Sequence, residues 1–308
     1  MVIEISEGAF NVKSLKQILD YLKVCNGQHT VSTEKNTAIM KLLDGVPHYL
    51  ELYKELVVKS ENGISFSNSI EVVVDSPSLG QIAVNDLYNF LKKSAVLVLE
   101  NEHSDRDFIE TVLTSLNAKR LLECLNSYWE IRGAGGCGEI PKLVEATVNA
   151  SHSSRVTVVH DSDKLFSAAG LDRAQVNIVN KCNEKKVTFV TLKKREIENY
   201  IVDEVLGDIK TLTCSTRNAV VNLTSIQKDY FDYKEGFKSR KPADYSGLFH
   251  NLDNDSLLLL QNGLGNNISE IAYSSEFRRH FSEENIDNRC TEILPEFRKI
   301  ESNILKML

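Results

Sequence analysis

No apolar run in this 308-residue sequence approaches the roughly 18 residues that a membrane-spanning helix needs. The longest candidate, residues 95–99, is only strand-sized. The opening residues, Met1-Val2-Ile3-Glu4, lack the basic-then-apolar order of a secretory leader, so export is not expected. The six cysteines (Cys25, Cys124, Cys137, Cys182, Cys214 and Cys290) form no C-x-x-C pair. That argues against a zinc ribbon and fits free thiols in a reducing cytoplasm. Internal repeats and low-complexity tracts are also missing. So is any excess of positive charge: 36 Lys and Arg face 43 Asp and Glu, for a net charge of −7. A protein that held nucleic acid by global charge alone would be basic. Any such contact here must come from local basic patches, from metal ions or from a partner. Part of the acidity is available for a metal site, where clustered carboxylates are useful.

What is present is ordinary globular material, 42% hydrophobic and 26% charged, enough for one large or two modest domains. Residues 1–90 read as an N-terminal α+β domain. Helices are expected over 14–24 and over 36–57, with a break near Gly45-Val46-Pro47, then a strand over 64–74 and a helix over 84–93. From residue 95 the pattern alternates. Strands are predicted at 95–99, 128–132, 155–159 and 186–191, with helices over 105–125, 139–149 and 195–206. This alternation predicts an α/β fold over residues 91–210, a Rossmann-like parallel sheet flanked by helices, with its ligand site at the carboxyl ends of the strands. Residues 211–308 read as a mostly helical C-terminal extension that packs on the sheet and closes one side of a cleft.

The residues of chemical interest fall at those strand ends. Glu100 closes the first strand, in Leu99-Glu100-Asn101-Glu102-His103-Ser104-Asp105, and Asp161 and Asp163 close the third. Three carboxylates at one pole of a sheet suit a hard cation such as Mg²⁺ or Mn²⁺, which serves phosphoryl displacement. Taken alone, Asp-x-Asp is equally what a solvated turn favours. After the second strand comes Gly133-Ala134-Gly135-Gly136-Cys137-Gly138, where glycines such as Gly135 and Gly136 would let backbone N–H groups approach a phosphate. The plainer explanation is a tight turn. The glycines also satisfy a dinucleotide fingerprint with Asp161 on the next strand, although a ribose ligand would leave Glu100 and Asp163 without a task. After the fourth strand, Lys193-Lys194-Arg195-Glu196-Ile197-Glu198-Asn199-Tyr200 places cations and carboxylates at an expected helix start. Glu196 and Glu198 would lie about 200° apart on that helix, so only one should face the site. Residues 228–241 interleave Lys228, Lys234, Lys238, Arg240 and Lys241 with Tyr230, Phe231, Tyr233 and Phe237. Such interleaving suits single-stranded or distorted nucleic acid, or else marks a loop anchored by its rings. Lys193, Lys194, Lys238 and Lys241 are the expected substrate contacts. His160 and Trp129 are expected in the core, and His103 near Glu100 at the surface.

In order and spacing, strand-Glu, strand-Gly-Gly, strand-Asp-x-Asp and strand-Arg-Glu-Ile-Glu-Asn-Tyr resembles the TOPRIM domain of topoisomerases, bacterial primases and OLD-family nucleases. It is closest to the OLD branch and its small stand-alone relatives. The resemblance covers residues 95–206, about a third of the chain. It implies a metal-dependent nuclease cutting DNA or RNA, with Glu100, Asp161, Asp163 and Glu198 as ligands of Mg²⁺ or Mn²⁺ in a two-metal arrangement. It also implies a cytoplasmic role in bacterial anti-phage defence beside a separate ATPase, since no G-x-x-x-x-G-K-[ST] is present. The family's usual Glu-Gly is here Glu100-Asn101, which leaves Glu100 and Glu102 as competing ligands. Glu100, directly at the strand end, is favoured. The competing reading is a non-catalytic TOPRIM-like, nucleotide-binding or regulatory module.

Overall fold

A computed structural model describes residues 2–25, 29–61, 69–78 and 81–308. The elements run in chain order β1 (Val2–Ile5), α1 (Val12–Val24), β2 (Thr30–Val31), α2 (Asn36–Leu43), α3 (Pro47–Glu61), β3 (Ser69–Val73), β4 (Gln81–Ala83) and α4 (Val84–Leu91) in the N-terminal part. Then come β5 (Ala95–Leu99), α5 (Ser104–Ser115), α6 (Lys119–Cys124), β6 (Trp129–Gly133), α7 (Ile140–Ala150), β7 (Val156–His160), α8 (Arg173–Lys185) and β8 (Thr188–Thr191). The remainder is helical: α9 (Asp203–Asp208), α10 (Cys214–Val221), α11 (Ser225–Tyr230), α12 (Asn254–Leu260), α13 (Ile268–Ala272), α14 (Glu283–Arg289) and α15 (Ile293–Met307).

The protein is α/β, with two four-stranded sheets in the orders β2-β1-β3-β4 and β6-β5-β7-β8, every pairing parallel. The N-terminal part is therefore a second α/β unit rather than the expected α+β domain. The unread strands are β2, β4 and β1, the last being four residues whose Ile3 and Ile5 point into a core shared with α1 and α4. Four residues are too few for alternation to stand out from chance. The expected strand at 64–74 is seen from Ser69; residues 64–68 lie outside the described residues. The predicted break between the next two helices falls where expected, with Pro47 opening α3.

In the second sheet the strands alternate faces. Leu97 and Leu99 enter the larger core with Phe108 and Phe297, while Val96 and Val98 meet Val144 of α7 and Ile178 of α8 on the other side. From β5 the chain goes out to β6 and returns past β5 to β7, so the strand order reverses between β5 and β7. Such a reversal opens a crevice at the carboxyl ends. The register places Val98 beside Val158 and His160 beside Thr191, so neighbouring strands end nearly flush.

Two expected helices take other forms. The one over 105–125 divides at Asn117, which adopts a left-handed φ of 55° that Asn tolerates. The one over 195–206 is replaced by extended Glu196, a 3₁₀ turn at Ile197–Tyr200 and the short α9. Residues 194–202 are buried without interruption, whereas an amphipathic helix would have turned part of its surface to water.

The boundary expected near residue 210 falls inside one continuous core, which runs from Ala95 to Leu308. Helix α15 lies against β5, β7, β8 and α5, and Phe297 stacks on Tyr200 and meets Phe108 edge-on. Residues 211–308 thus complete the sheet's packing instead of extending it. Phe297→Ala is expected to destabilise the protein by about 3–5 kcal/mol, read as a lowered denaturant midpoint in a melt followed by circular dichroism.

Candidate active site

The crevice gathers carboxylates from three strand ends. Glu100 leaves β5 half-buried. The glycine turn after β6 wraps it: Gly135 and Gly136 both donate their N–H to the Glu100 carbonyl oxygen, at 2.9 and 3.2 Å. These two amides are therefore spent on fixing Glu100 and do not offer themselves to a phosphate, as their sequence pattern had suggested. Cys137 N–H donates to the Glu100 carboxylate. Gly133 is a steric requirement, because a Cβ there would collide with the backbone of Glu102. Glu102 itself is exposed. Asp105, in the first turn of α5, is buried and accepts the Asn101 N–H at 2.9 Å.

The turns after β7 and β8 are zipped together. Leu192 N–H donates to His160 O, and the N–H groups of Ser162 and Asp163 share Arg195 O, all at 3.0 Å. The Ser162 hydroxyl donates to Lys194 O at 2.7 Å. This pairing carries Asp161 and Asp163 to the residues that follow β8. Asp161 Oδ1 accepts the Ile197 N–H at 3.1 Å, and Asp163 accepts from the Gln175 side chain. A capping box closed by Asn199, whose Oδ1 accepts the Glu196 N–H at 2.8 Å, keeps Glu196 extended before the turn. Both Glu196 and Glu198 consequently face the cluster, which corrects the helical expectation of one.

One lysine from the C-terminal segment enters this group. Lys234 Nζ lies 3.2 Å from Glu196 Oε2 and 3.1 Å from Glu198 Oε1. Arg195 is held by Glu196, Asp232 and the Tyr245 hydroxyl. Glu198, a side chain only 1% exposed, meets the Lys234 ammonium at 3.1 Å through Oε1, and its Oε2 has no hydrogen-bond partner.

The electrostatics follow from this crowding. Burial, reinforced by Asp105 and Asp163, pushes the Glu100 carboxyl up to about 7. Burial likewise raises Glu198 to about 7, with Glu196 adding to the rise and Lys234 opposing it. Asp161 is raised well above the carboxylate range by desolvation and by Glu196, Glu198, Asp105 and Glu100. Asp105 and Asp163 are raised mainly by burial. Glu196 goes the other way: burial would raise it, but Lys234 and Arg195 hold it below its ordinary value. Burial lowers Lys234, yet Glu198, Glu196 and Asp161 together keep it far above a free lysine.

Compared with protein-family models, curated proteins and solved structures, the chain finds no match in any of the three. The site therefore has to be read from its own residues. An all-oxygen donor set suits Mg²⁺ or Mn²⁺ better than softer ions, and the buried, unpartnered Oε2 of Glu198 is what a cation ligand presents. Among the described residues, no three Asp, Glu, His or Cys side chains already surround an ion-sized point. The ammonium of Lys234 stands between Glu196 and Glu198 instead.

Of the four expected substrate lysines, two are committed to ion pairs and two are exposed. Lys194 is buried, with Nζ 2.5 Å from Asp229 Oδ1, so its charge is internal. Lys193 pairs with Glu292 at 2.6 Å on the surface, and its N–H donates to Glu296. Lys238 and Lys241 are exposed. Tyr230, Phe231, Tyr233 and Phe237 are all buried, so this segment is anchored by its rings and offers no stacking platform for bases. His160 is a buried core histidine bonded to Thr191, held neutral by burial with a pKa of about 4, and Trp129 is fully buried. Asp105, Glu196 and Lys234 are the cluster members that sequence reasoning did not assign. The Glu196–Asn199 capping spacing was the available signal for the second.

The raised carboxyls make a signed prediction. Glu100 and Glu198 bind protons more tightly in the folded protein than in the unfolded chain. Their contribution is full below their ordinary values near 4.5 and is lost as pH rises towards 7. Thermal melts of the protein in EDTA should show stability falling from about pH 4.5 to 7, and Glu198→Gln should flatten that slope.

Proposed function

We propose that this chain is a divalent-metal-dependent nuclease of TOPRIM type, cutting nucleic-acid phosphodiesters as the effector of a defence system with a separate ATPase. The observation that supports it most is the convergence of Glu100, Asp161 and Asp163 with Glu196 and Glu198 at the strand-order reversal, with Glu198 Oε2 buried and without a hydrogen-bond partner. So many desolvated carboxylates oppose one another unless a cation joins them. Glu100, Asp161, Asp163 and Glu198 are the residues to hold Mg²⁺ or Mn²⁺. When bound, the ion supplies positive charge to the phosphate and acidity to the attacking water.

The chain's own groups have defined parts. Glu100, whose carboxyl pKa burial raises while no ion is bound, becomes an ionised ligand once the cation joins it. Arg195 fixes Glu196, and the Glu100 carbonyl is fixed by Gly135 and Gly136. Exposed Lys238 and Lys241 remain available to a phosphate backbone. The competing reading, a regulatory module without catalysis, is favoured by one observation: Lys234 already supplies charge within the cluster.

The deciding experiment incubates the protein with plasmid DNA and with tRNA in Mg²⁺ or Mn²⁺, with and without any co-encoded ATPase. Wild type should cut at least one polymer. Asp161→Asn should lower the rate by more than the roughly 10–100-fold typical of changes behind a metal's ligands. Failure to cut under every condition, together with no Mn²⁺ binding, would leave the module.

A further inference from the structure

The two cations beside the acidic cluster are held in opposite ways. Arg195 is tied to three separate partners, Glu196, Asp232 and Tyr245, and has no latitude. The Lys234 ammonium, among the described residues, meets only Glu196 and Glu198. Its backbone is nevertheless fixed. Gly265 N–H donates to Lys234 O at 3.1 Å and Leu264 N–H to Tyr233 O at 2.7 Å. Gly236, at φ 63°, passes so close to Leu260 and Gly263 that a Cβ would collide with both. What can move is the flexible four-carbon stem. It borders a hollow of about 320 Å³ at the mouth of the site, also lined by Glu102, His103, Asn266 and Glu270. Glu102 and Glu270 are both exposed carboxylates.

We propose that Lys234 is an exchangeable internal cation: it holds the Glu196–Glu198 position while no divalent ion is bound and swings out towards Glu102 and Glu270 when one binds. The inference rests on the metal-dependent reading and adds which group the ion displaces. An ammonium and a divalent ion on the same carboxylate, Glu198, repel each other at close range, so one must leave. The ammonium contacts Glu198 through Oε1 alone, at 3.1 Å, and leaves the buried Oε2 free to coordinate. The clamp on residues 233–236 keeps the stem's origin in place, so the swing needs no backbone change.

The test is Mn²⁺ binding by calorimetry on full-length, EDTA-stripped protein without nucleic acid. A like charge a few ångströms away shifts an ionic equilibrium by about one to three powers of ten. Lys234→Met should therefore bind Mn²⁺ about tenfold tighter or more, and Lys234→Arg, which keeps the charge, no tighter than wild type. Equal or weaker binding by Lys234→Met overturns the proposal. On the wild type, acetylation of Lys234 read by mass spectrometry should rise when Mn²⁺ is added; unchanged or reduced labelling overturns it equally. Mn²⁺ binding with these signatures but no cleavage would sink the nuclease reading and leave the exchange standing. No Mn²⁺ binding by wild type or Lys234→Met would overturn both.

Discussion

The rest of this structure depends on keeping an excess of carboxylates out of water at the ends of three adjacent strands. Glu100, Asp105, Asp161, Asp163, Glu196 and Glu198 act on one another's ionisation, and Lys234 and Arg195 are the cations set against them. Desolvating like charges together is costly by several kcal/mol per ion when uncompensated. Such an arrangement persists only if the surrounding fold over-determines it. The glycine turn clasping Glu100, the zipped turns after β7 and β8, and the capping box at Glu196 are the three local devices that do so.

The motif after β8 joins this centre to the helical half. Arg195 reaches Asp232 and Tyr245; Asn199 donates to Lys228 O and Phe231 O at 2.7 and 2.8 Å; and the Tyr200 hydroxyl donates to Glu296 Oε2 at 2.6 Å. Arg289 donates to Asn199 O and to Asp229, at 2.9 Å in each case. Lys194, Arg195, Asn199 and Tyr200 thus each bind a residue at least 29 positions downstream. This is why one core spans the second sheet and all that follows it.

Much of the second sheet was legible in the sequence because its strands are short, uniformly apolar and separated by helical stretches. The strand-end position of Glu100 and Asp161 followed from that pattern alone. Glu196 was misjudged because helical periodicity was assumed for a segment that is buried all round and turns through a 3₁₀ helix. Gly135 and Gly136 carried a true signal of close approach, but the group approached is the Glu100 carbonyl, which spacing cannot reveal. Lys234 was one cation among five in a mixed segment. What distinguishes it is tertiary, the crossing of Gly236 with Gly263 that aims its stem. The N-terminal sheet was missed for a simpler reason: β1, β2 and β4 have four, two and three residues, too few to display a period.

The dependence of the centre on late residues also has a consequence for synthesis. Domains generally form from the N-terminus onward as the chain leaves the ribosome. Every strand of the second sheet is complete once residue 191 has emerged, yet the cation at position 234 and the carboxylate at 296 that receives Tyr200 come later. A nascent chain therefore passes through a stage with its acidic residues and Arg195 made and Lys234 still unmade. The geometry of the acidic cluster is thus a property of the nearly finished polypeptide, closed only when residues 234 and 296 have joined it.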